Sequence, residues 1–390
     1  MVPFIPFNRP FLTGRELEHM AAAMASGKLS GNGEYTQKCQ TFFSERYGFP
    51  KSLLTTSCTD ALEMAALLCE VGPGDEVILP SFTFVSTANA FALRGADLVF
   101  VDSQADHPNM DAEQIEGLIT SRTKVIVPVH YAGAACDMDR ILGLARPHGI
   151  RVVEDAAQAI DATYKGRPLG SLGDLAAFSF HETKNIGAGE GGMLVVNNPA
   201  FAARAEILWE KGTNRSAFFR GEVDKYGWVD VGSSFLPSEL TAAFLFAQVQ
   251  ALEEIQRRRL AIWNRYHGAF TSLEQSGLAE LPKLPAFASC NAHMYYLVCP
   301  DGKRRQGLID FLKARGILAV FHYQSLHRSP FYGPRYRGPA LPNADRLSDC
   351  LVRLPLFADL SEAEQGRVTD AVLGFFSGSA CAPPAARLAP

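Results

Sequence analysis

The sequence predicts an α/β fold, with a large domain on a mostly parallel sheet and a smaller α+β domain after it. Three observations predict it. From about residue 51, short apolar runs rich in β-branched residues alternate with helical patterns. Those runs lack polar alternation, as expected of strands covered on both faces. A long helical stretch then leads into a second, shorter series of strand and helix patterns.

The elements follow in order. SLLTT precedes the helix pattern CTDALEMAALLCEV, which Pro73-Gly74 closes. EVILP is followed by TFVSTANAFALRG, DLVFVD by DAEQIEGLIT, and KVIVPVH by DMDRILGLARPHG, before IRVVED. Helices between successive strands make β-α-β units. LAAFSF and GMLVVN add two strands, so residues 14–245 form the large domain. Helical periodicity then runs from Ser238 to about Ser272. AHMYYLVCP, RRQGLIDFLKARG, ILAVFHY and SEAEQGRVTDAVLGFF build the smaller domain, residues 246–376 together with 1–13. Residues 377–390, SGSACAPPAARLAP, lack a core-forming pattern and are expected to be disordered.

Composition narrows the function classes. With 390 residues, 47% of them hydrophobic, the chain can bury a sizeable core. A net charge of −4 leaves no global basic field for nucleic acid or an anionic membrane. Any anionic ligand must therefore be held by local groups. Cys39, Cys58, Cys69, Cys136, Cys290, Cys299, Cys350 and Cys381 include no C-x-x-C pair and read as free thiols in a reducing compartment. The N-terminus has no basic segment before an apolar core, and no apolar run approaches the ~18 residues that span a membrane. A cytoplasmic location is expected. HETKN is not H-E-x-x-H and no other His/Cys spacing fits zinc, so no metal is expected.

FSFHETKNIGAGEGGMLVV, residues 178–196, offers two readings. Gly187, Gly189 and Gly192 match G-x-G-x-x-G, the dinucleotide fingerprint. That fingerprint needs a strand directly before it and a helix opening on its last glycine. Here MLVVNN follows Gly192 and reads as a strand, and no acidic residue stands about 20 positions on. The alternative is Lys184, a lone lysine just past an apolar strand. In VVEDAAQ, Asp155 ends another apolar strand, so its carboxylate sits at the sheet edge where ligands bind in open α/β folds. A buried Asp needs a partner, and a pyridinium nitrogen is one. TTSCTDALEM opens a helix with Ser57 or Thr59 as N-cap, a site suited to phosphate. Phosphate anchor, ring-nitrogen carboxylate and amine are the parts of a pyridoxal phosphate (PLP) site.

The linked spacing Asp155-x-x-Gln158, Ser179-Phe-His-x-x-Lys184-Asn185 and GEGG resembles the DegT/DnrJ/EryC1/StrS sugar-nucleotide aminotransferases. The resemblance runs from FNRPFLTGRELEHM to RLPLF, almost the whole chain. It implies the fold-type I aminotransferase fold and a homodimer with active sites at the subunit interface. It implies that Lys184 carries PLP and that Asp155 pairs with the pyridine nitrogen. Gln158 would lie by the ring hydroxyl and Phe84 against the ring face. Cys58 (by its backbone), Thr59 and Ser179 would form the phosphate cup, and Ser234 would reach the phosphate from the neighbouring subunit. Leu236 stands where relatives carry an arginine. The glycines are expected to let the backbone pass close to the cofactor.

The same resemblance implies amino transfer from L-glutamate to C4 of dTDP-4-keto-6-deoxyglucose, giving dTDP-4-amino-4,6-dideoxygalactose for a surface polysaccharide such as lipopolysaccharide. Lysine at 184, where the family's dehydratases have histidine, fits transfer. The nucleotide diphosphate needs cations, and TNRSAFFRGEVDK supplies Arg215, Arg220 and Lys225 in what reads as a loop. His322 and Tyr323, at a strand end, are further substrate candidates. Amination at C3, or at C4 with opposite stereochemistry, stays open. From another class, a non-catalytic PLP-bound regulator is the alternative, which retention of Lys184 and Asp155 opposes.

Overall fold

The computed structural model describes residues 3–378. Strands β1 (Ser52–Thr55), β2 (Glu76–Pro80), β3 (Asp97–Val101), β4 (Thr123–Ile126) and β5 (Arg151–Asp155) are followed by a small hairpin, β6 (Thr163–Tyr164) and β7 (Arg167–Pro168). β8 (Leu175–Ser179) and β9 (Gly192–Val196) complete a seven-stranded sheet of order β1-β9-β8-β5-β4-β2-β3. Only β9 opposes its neighbours; the other strands are parallel.

Helices cover both faces. In chain order they are α1 (Glu16–Ala25), α2 (Glu34–Tyr47), α3 (Cys58–Leu68), α4 (Val85–Ala92), α5 (Met138–Ala145), α6 (Ala202–Trp209), α7 (Arg215–Phe219) and α8 (Glu239–Gln250). Every residue of β1, β2 and β9 is buried, which explains the unbroken apolar runs. One face packs Leu54, Ile78, Val152 and Phe178 with Phe43, Ile141 and Leu245. The other packs Leu53, Val77, Val153 and Ala177 with Leu62, Phe91 and Leu208.

α9 (Leu252–Gln275) leads to a three-stranded antiparallel sheet. Its strands are β10 (Tyr295–Val298), β11 (Val320–Phe321) and β12 (Leu351–Leu354), in the order β10-β12-β11. α10 (Gly302–Lys313), α11 (Pro342–Cys350) and α12 (Glu362–Phe376) complete the chain. Here Trp263, Leu308, Leu354 and Val368 share a separate core with Ile5, whose N–H donates to Gly316 O at 2.8 Å.

Three elements differ from the sequence expectation. DAEQIEGLIT forms two 3-10 turns, Ala112–Gln114 and Glu116–Leu118, rather than a helix. Gly117 and the β-branched Ile119 and Thr120 weaken so short a segment. The helical stretch from Ser238 breaks at Ala251 (φ −100°), because α8 packs on α1 and α2 while α9 packs on α12. β12, the central strand of the small sheet, went unread because Pro355 closes it after four residues. Ser377 and Gly378 follow directly on α12; the rest of the expected disordered segment, 379–390, lies outside the described residues. Among the described residues, no helix is long and apolar enough to cross a membrane.

Candidate active site

The two-residue period of the strands decides which side chains meet. Val153 faces the α3/α4 side, so Asp155 emerges on that side at the C-terminal end of β5. Leu175 and Ala177 face the same way and bring Ser179 there. Gly192 lies between Thr55 and Ser179 in the sheet register. A Cβ on Gly192 would stand 2.3 Å from the Ser57 carbonyl carbon and 2.4 Å from the Cys58 nitrogen. The last glycine of the G-x-G-x-x-G match thus admits the turn that starts α3. Gly189, at φ +76°, makes a left-handed turn in the lysine loop.

Ser57 is the N-cap of α3, its Oγ accepting the Asp60 N–H at 3.1 Å. Cys58 and Thr59 fill the first turn, where backbone N–H groups have no acceptor within the helix. Thr59 Oγ1 donates to Ser86 Oγ at 2.8 Å, joining the starts of α3 and α4. The positive end of this helix suits a phosphate dianion.

Asp155 is buried and held on two sides. Its Oδ2 accepts from Thr87 Oγ1 at 2.6 Å, and its Oδ1 accepts from the Ala157 N–H at 3.1 Å. Behind it, Glu154 faces the other side of the sheet. It accepts from His130 Nε2 at 2.9 Å and from the N–H groups of Gly170, Leu172 and Gly173. Burial pushes the Glu154 carboxyl up, yet His130 and these N–H groups hold it below the usual range. The strand end that presents Asp155 is therefore anchored from beneath.

Lys184 follows β8 in a turn closed by its own N–H to His181 O at 2.9 Å. Asn185 ties this turn to α9 and the small sheet. It donates to Gln256 Oε1 at 2.7 Å and Asn291 O at 2.8 Å, and accepts from His293 Nδ1 at 2.8 Å. The Lys184 amine opens into a cavity, yet protein encloses it closely. Burial holds its ammonium below the ordinary lysine range, against the pull of Cys58 and Asp155.

That cavity, about 580 Å³, collects most of the residues predicted from sequence: Cys58, Thr59, Phe84, Asp155, Gln158, Ser179, Lys184, His322 and Tyr323. Gln158 Oε1 accepts from Ala132 N–H at 2.6 Å, and its Nε2 donates to Tyr323 OH at 3.2 Å. Phe84 is half exposed, its ring 5.9 Å from that of Tyr323. Burial drives His322 well below its ordinary value, so a neutral imidazole meets Tyr131 OH at 2.9 Å.

Four predicted residues do not line this cavity. Ser234 and Arg215 line a second one of about 390 Å³, with Lys28, Glu210 and Tyr226. Arg220 is paired with Glu206 at 2.9 Å and Glu222 at 2.7 Å, and Lys225 is exposed. Nor is the segment carrying them all loop, since Arg215–Phe219 is a helical turn. The cavity adds residues that sequence reading passed over: Phe7, Asn8, Ser86, Thr87, His293 and Arg353. An arginine inside the apolar run CLVRLPLF was the available signal for the last.

The set fits PLP on its own chemistry. A helix start suits a phosphate, a braced carboxylate suits a ring nitrogen, and an amine of lowered pKa suits an aldehyde carbon. The comparisons with known proteins agree. Residues 10–373 match the DegT/DnrJ/EryC1/StrS aminotransferase family. The chain belongs to this family. Among solved structures, Spr1654 from Streptococcus pneumoniae, assigned as a sugar aminotransferase and seen in its PLP form, is 28% identical. It aligns over 96% of this chain and 99% of its own, with a TM-score of 0.88. The aminotransferase TlmJ from Streptoalloteichus hindustanus is 31% identical over 96% and 99% of the two chains, TM-score 0.88. DesV from S. venezuelae, in complex with a ketimine intermediate, is 31% identical over 96% and 99%, TM-score 0.86. This DegT/DnrJ/EryC1/StrS member is a PLP-dependent sugar aminotransferase of fold type I.

Proposed function

We propose that this aminotransferase moves the amino group of L-glutamate to C4 of a nucleotide-linked 4-keto-6-deoxy sugar. The proposed pair is dTDP-4-keto-6-deoxyglucose and dTDP-4-amino-4,6-dideoxygalactose, a precursor of surface polysaccharide. One observation carries the catalytic part: a desolvated Lys184 amine and a braced Asp155 share one enclosed cavity with the start of α3.

When bound, PLP supplies an electron sink for the charge left at the donor's α carbon. The chain's own groups do the rest. Asp155, oriented by Thr87 and the Ala157 N–H, keeps a proton on the ring nitrogen. Lys184 would hold the cofactor through Nζ and, once freed by the donor amine, its Nζ would be the group that takes and returns the donor's α-carbon proton. Burial lowers its pKa, which favours the neutral amine that a base needs. Cys58, Thr59 and Ser179 hold the phosphate, and Phe84 covers the ring face. Gln158 and Tyr323, joined by their hydrogen bond, border the ring hydroxyl and the sugar. The keto sugar reacts in the second half, so kinetics are ping-pong.

The enzyme acts as a homodimer in this proposal, with Ser234, Arg215, Arg220 and Lys225 serving the partner's cavity. Trp228, 83% exposed, and Phe219, 69% exposed, lie near them as apolar surface that a second copy would cover. The free cysteines support a reducing, cytoplasmic setting. Incubation with glutamate and dTDP-4-keto-6-deoxyglucose, with NMR of the product, tests the substrate. Amination of another keto sugar in preference, or an equatorial C4 amine, would refute it.

A further inference from the structure

His293 carries a lone pair that the protein leaves unused. Its Nδ1 meets Asn185 Oδ1 at 2.8 Å. The other amide atom of Asn185 faces the backbone carbonyl of Asn291, which can only accept, so that atom is the nitrogen and the oxygen faces His293. The ring proton therefore sits on Nδ1. Burial, with the charges of Lys184, Arg259 and Arg353, holds the imidazole far below its ordinary value, so it carries no second proton. Nε2 is left as a bare acceptor, and among the described residues no donor meets it. The residue is only 6% exposed, yet it borders the Lys184 cavity. Its backbone is pinned as well. The N–H donates to Asn291 Oδ1 at 3.1 Å, and the carbonyl accepts from Arg259 Nη2 at 2.6 Å. A buried acceptor without a donor is costly, and native proteins keep one where a donor comes to meet it.

We infer that His293 Nε2 accepts a hydrogen bond from the freed Lys184 amine and holds it in place while it carries the substrate's proton. The inference rests on the reading of this cavity as an amino-transfer site. Asn185 follows Lys184 directly in the chain, so its bond to Nδ1 ties the ring within one residue of the reactive lysine. When the C–H bond at the donor's α carbon breaks, the proton forms a third N–H bond at Nζ. The resulting ammonium is enclosed by protein and needs an acceptor. Asp155 is already committed to Thr87 and the Ala157 N–H, and burial keeps the Cys58 thiol protonated. His293 supplies the acceptor. Its low basicity lets it share the proton without removing it, so the same proton can be returned from Nζ. His293 acts through Lys184 and is thus a positioning residue.

Two substitutions separate this role from the tie to Asn185. His293→Asn keeps an N–H where Nδ1 stands and removes the acceptor in the cavity; His293→Gln removes the former and places an amide oxygen where Nε2 stands. In cofactor-free enzyme, NMR of isotope-labelled lysine follows the Lys184 amine against pH, its signal identified by loss in Lys184→Met. The other charges acting on Lys184, those of Cys58, Asp155 and Arg353, are left in place. Lys184 is expected to titrate about 1 pH unit lower in His293→Asn and near the wild-type value in His293→Gln. In PLP-loaded enzyme, single turnover with glutamate should slow about tenfold in His293→Asn. Glutamate affinity should hold, the isotope effect with α-deuterated glutamate should grow, and His293→Gln should recover most of the rate. A wild-type Lys184 titration in His293→Asn overturns the inference. Equal losses in both variants do so too, since only the tie to Asn185 would then matter, as does a defect confined to the sugar nucleotide. Wild-type enzyme that keeps its colour with every amino-acid donor would instead strike the amino-transfer reading. The Lys184 titration still judges His293 in that case.

Discussion

Replacing Gly192 by alanine probes how closely the sheet must approach the phosphate site. The added Cβ would stand 2.3 Å from the Ser57 carbonyl carbon and oxygen and 2.4 Å from the Cys58 nitrogen. All three are backbone atoms, so no side chain can swing aside. Restoring a contact of ~3.5 Å requires β9 and the start of α3 to part by about 1 Å. Such overpacking costs about 1–3 kcal/mol of stability. The same shift carries the first-turn N–H groups of α3 from hydrogen-bond range to ~3.9 Å from a phosphate held by the rest of the site. Each charge-assisted bond lost is worth about 1.5–3 kcal/mol, so PLP affinity should fall by at least about tenfold. Absorbance titration of cofactor-free protein with PLP measures the affinity, and urea unfolding measures the stability. Wild-type values for both in Gly192→Ala would refute the close-approach argument; a loss of stability with intact affinity would remove α3 from the phosphate site.

Lys184→Ala should abolish turnover and let PLP wash off on desalting, whereas borohydride should fix the cofactor to Lys184 of the wild type; activity near that of wild type would overturn the mechanism. Thr87→Val removes the 2.6 Å bond to Asp155. It should lower kcat about tenfold, from the loss of a charge-assisted bond, with little change in fold by circular dichroism. The depressed Lys184 pKa means that the folded, cofactor-free chain binds fewer protons than the unfolded chain, between that value and the ordinary ~10.4. Stability should therefore rise with pH across this window, and Lys184→Met should lose the rise. Urea melts at stepped pH check both, and a flat wild-type profile would contradict the lowered pKa.

Asp155, Lys184 and the start of α3 were legible because their signals are local. An apolar run that ends in Asp, a lone lysine past a strand and Ser57-Cys58-Thr59 before a helix each show their chemistry within a few residues of chain. His322 and Tyr323 were placed by a strand end, Phe84 and Gln158 by the family resemblance, and all four reach the cavity. Thr87 was not, since a threonine in a small helix gives no hint of which carboxylate it faces. Nor could a linear reading show that Arg220 meets Glu206, which lies in a different helix.

The sequence by itself determined the layered α/β architecture and singled out Lys184 and Asp155, because hydrophobic period and residue chemistry are properties of short segments. Only the tertiary structure decided what the glycines do. Gly192 yields to the backbone of Ser57 and Cys58, a contact set by the β1-β9-β8 pairing across more than a hundred residues of chain. It also decided that Arg353 lines Lys184's cavity with its Nε lacking a hydrogen-bond partner, since that depends on where β12 and Phe7 meet the large sheet. Contacts between distant segments follow from packing, and packing is read in three dimensions.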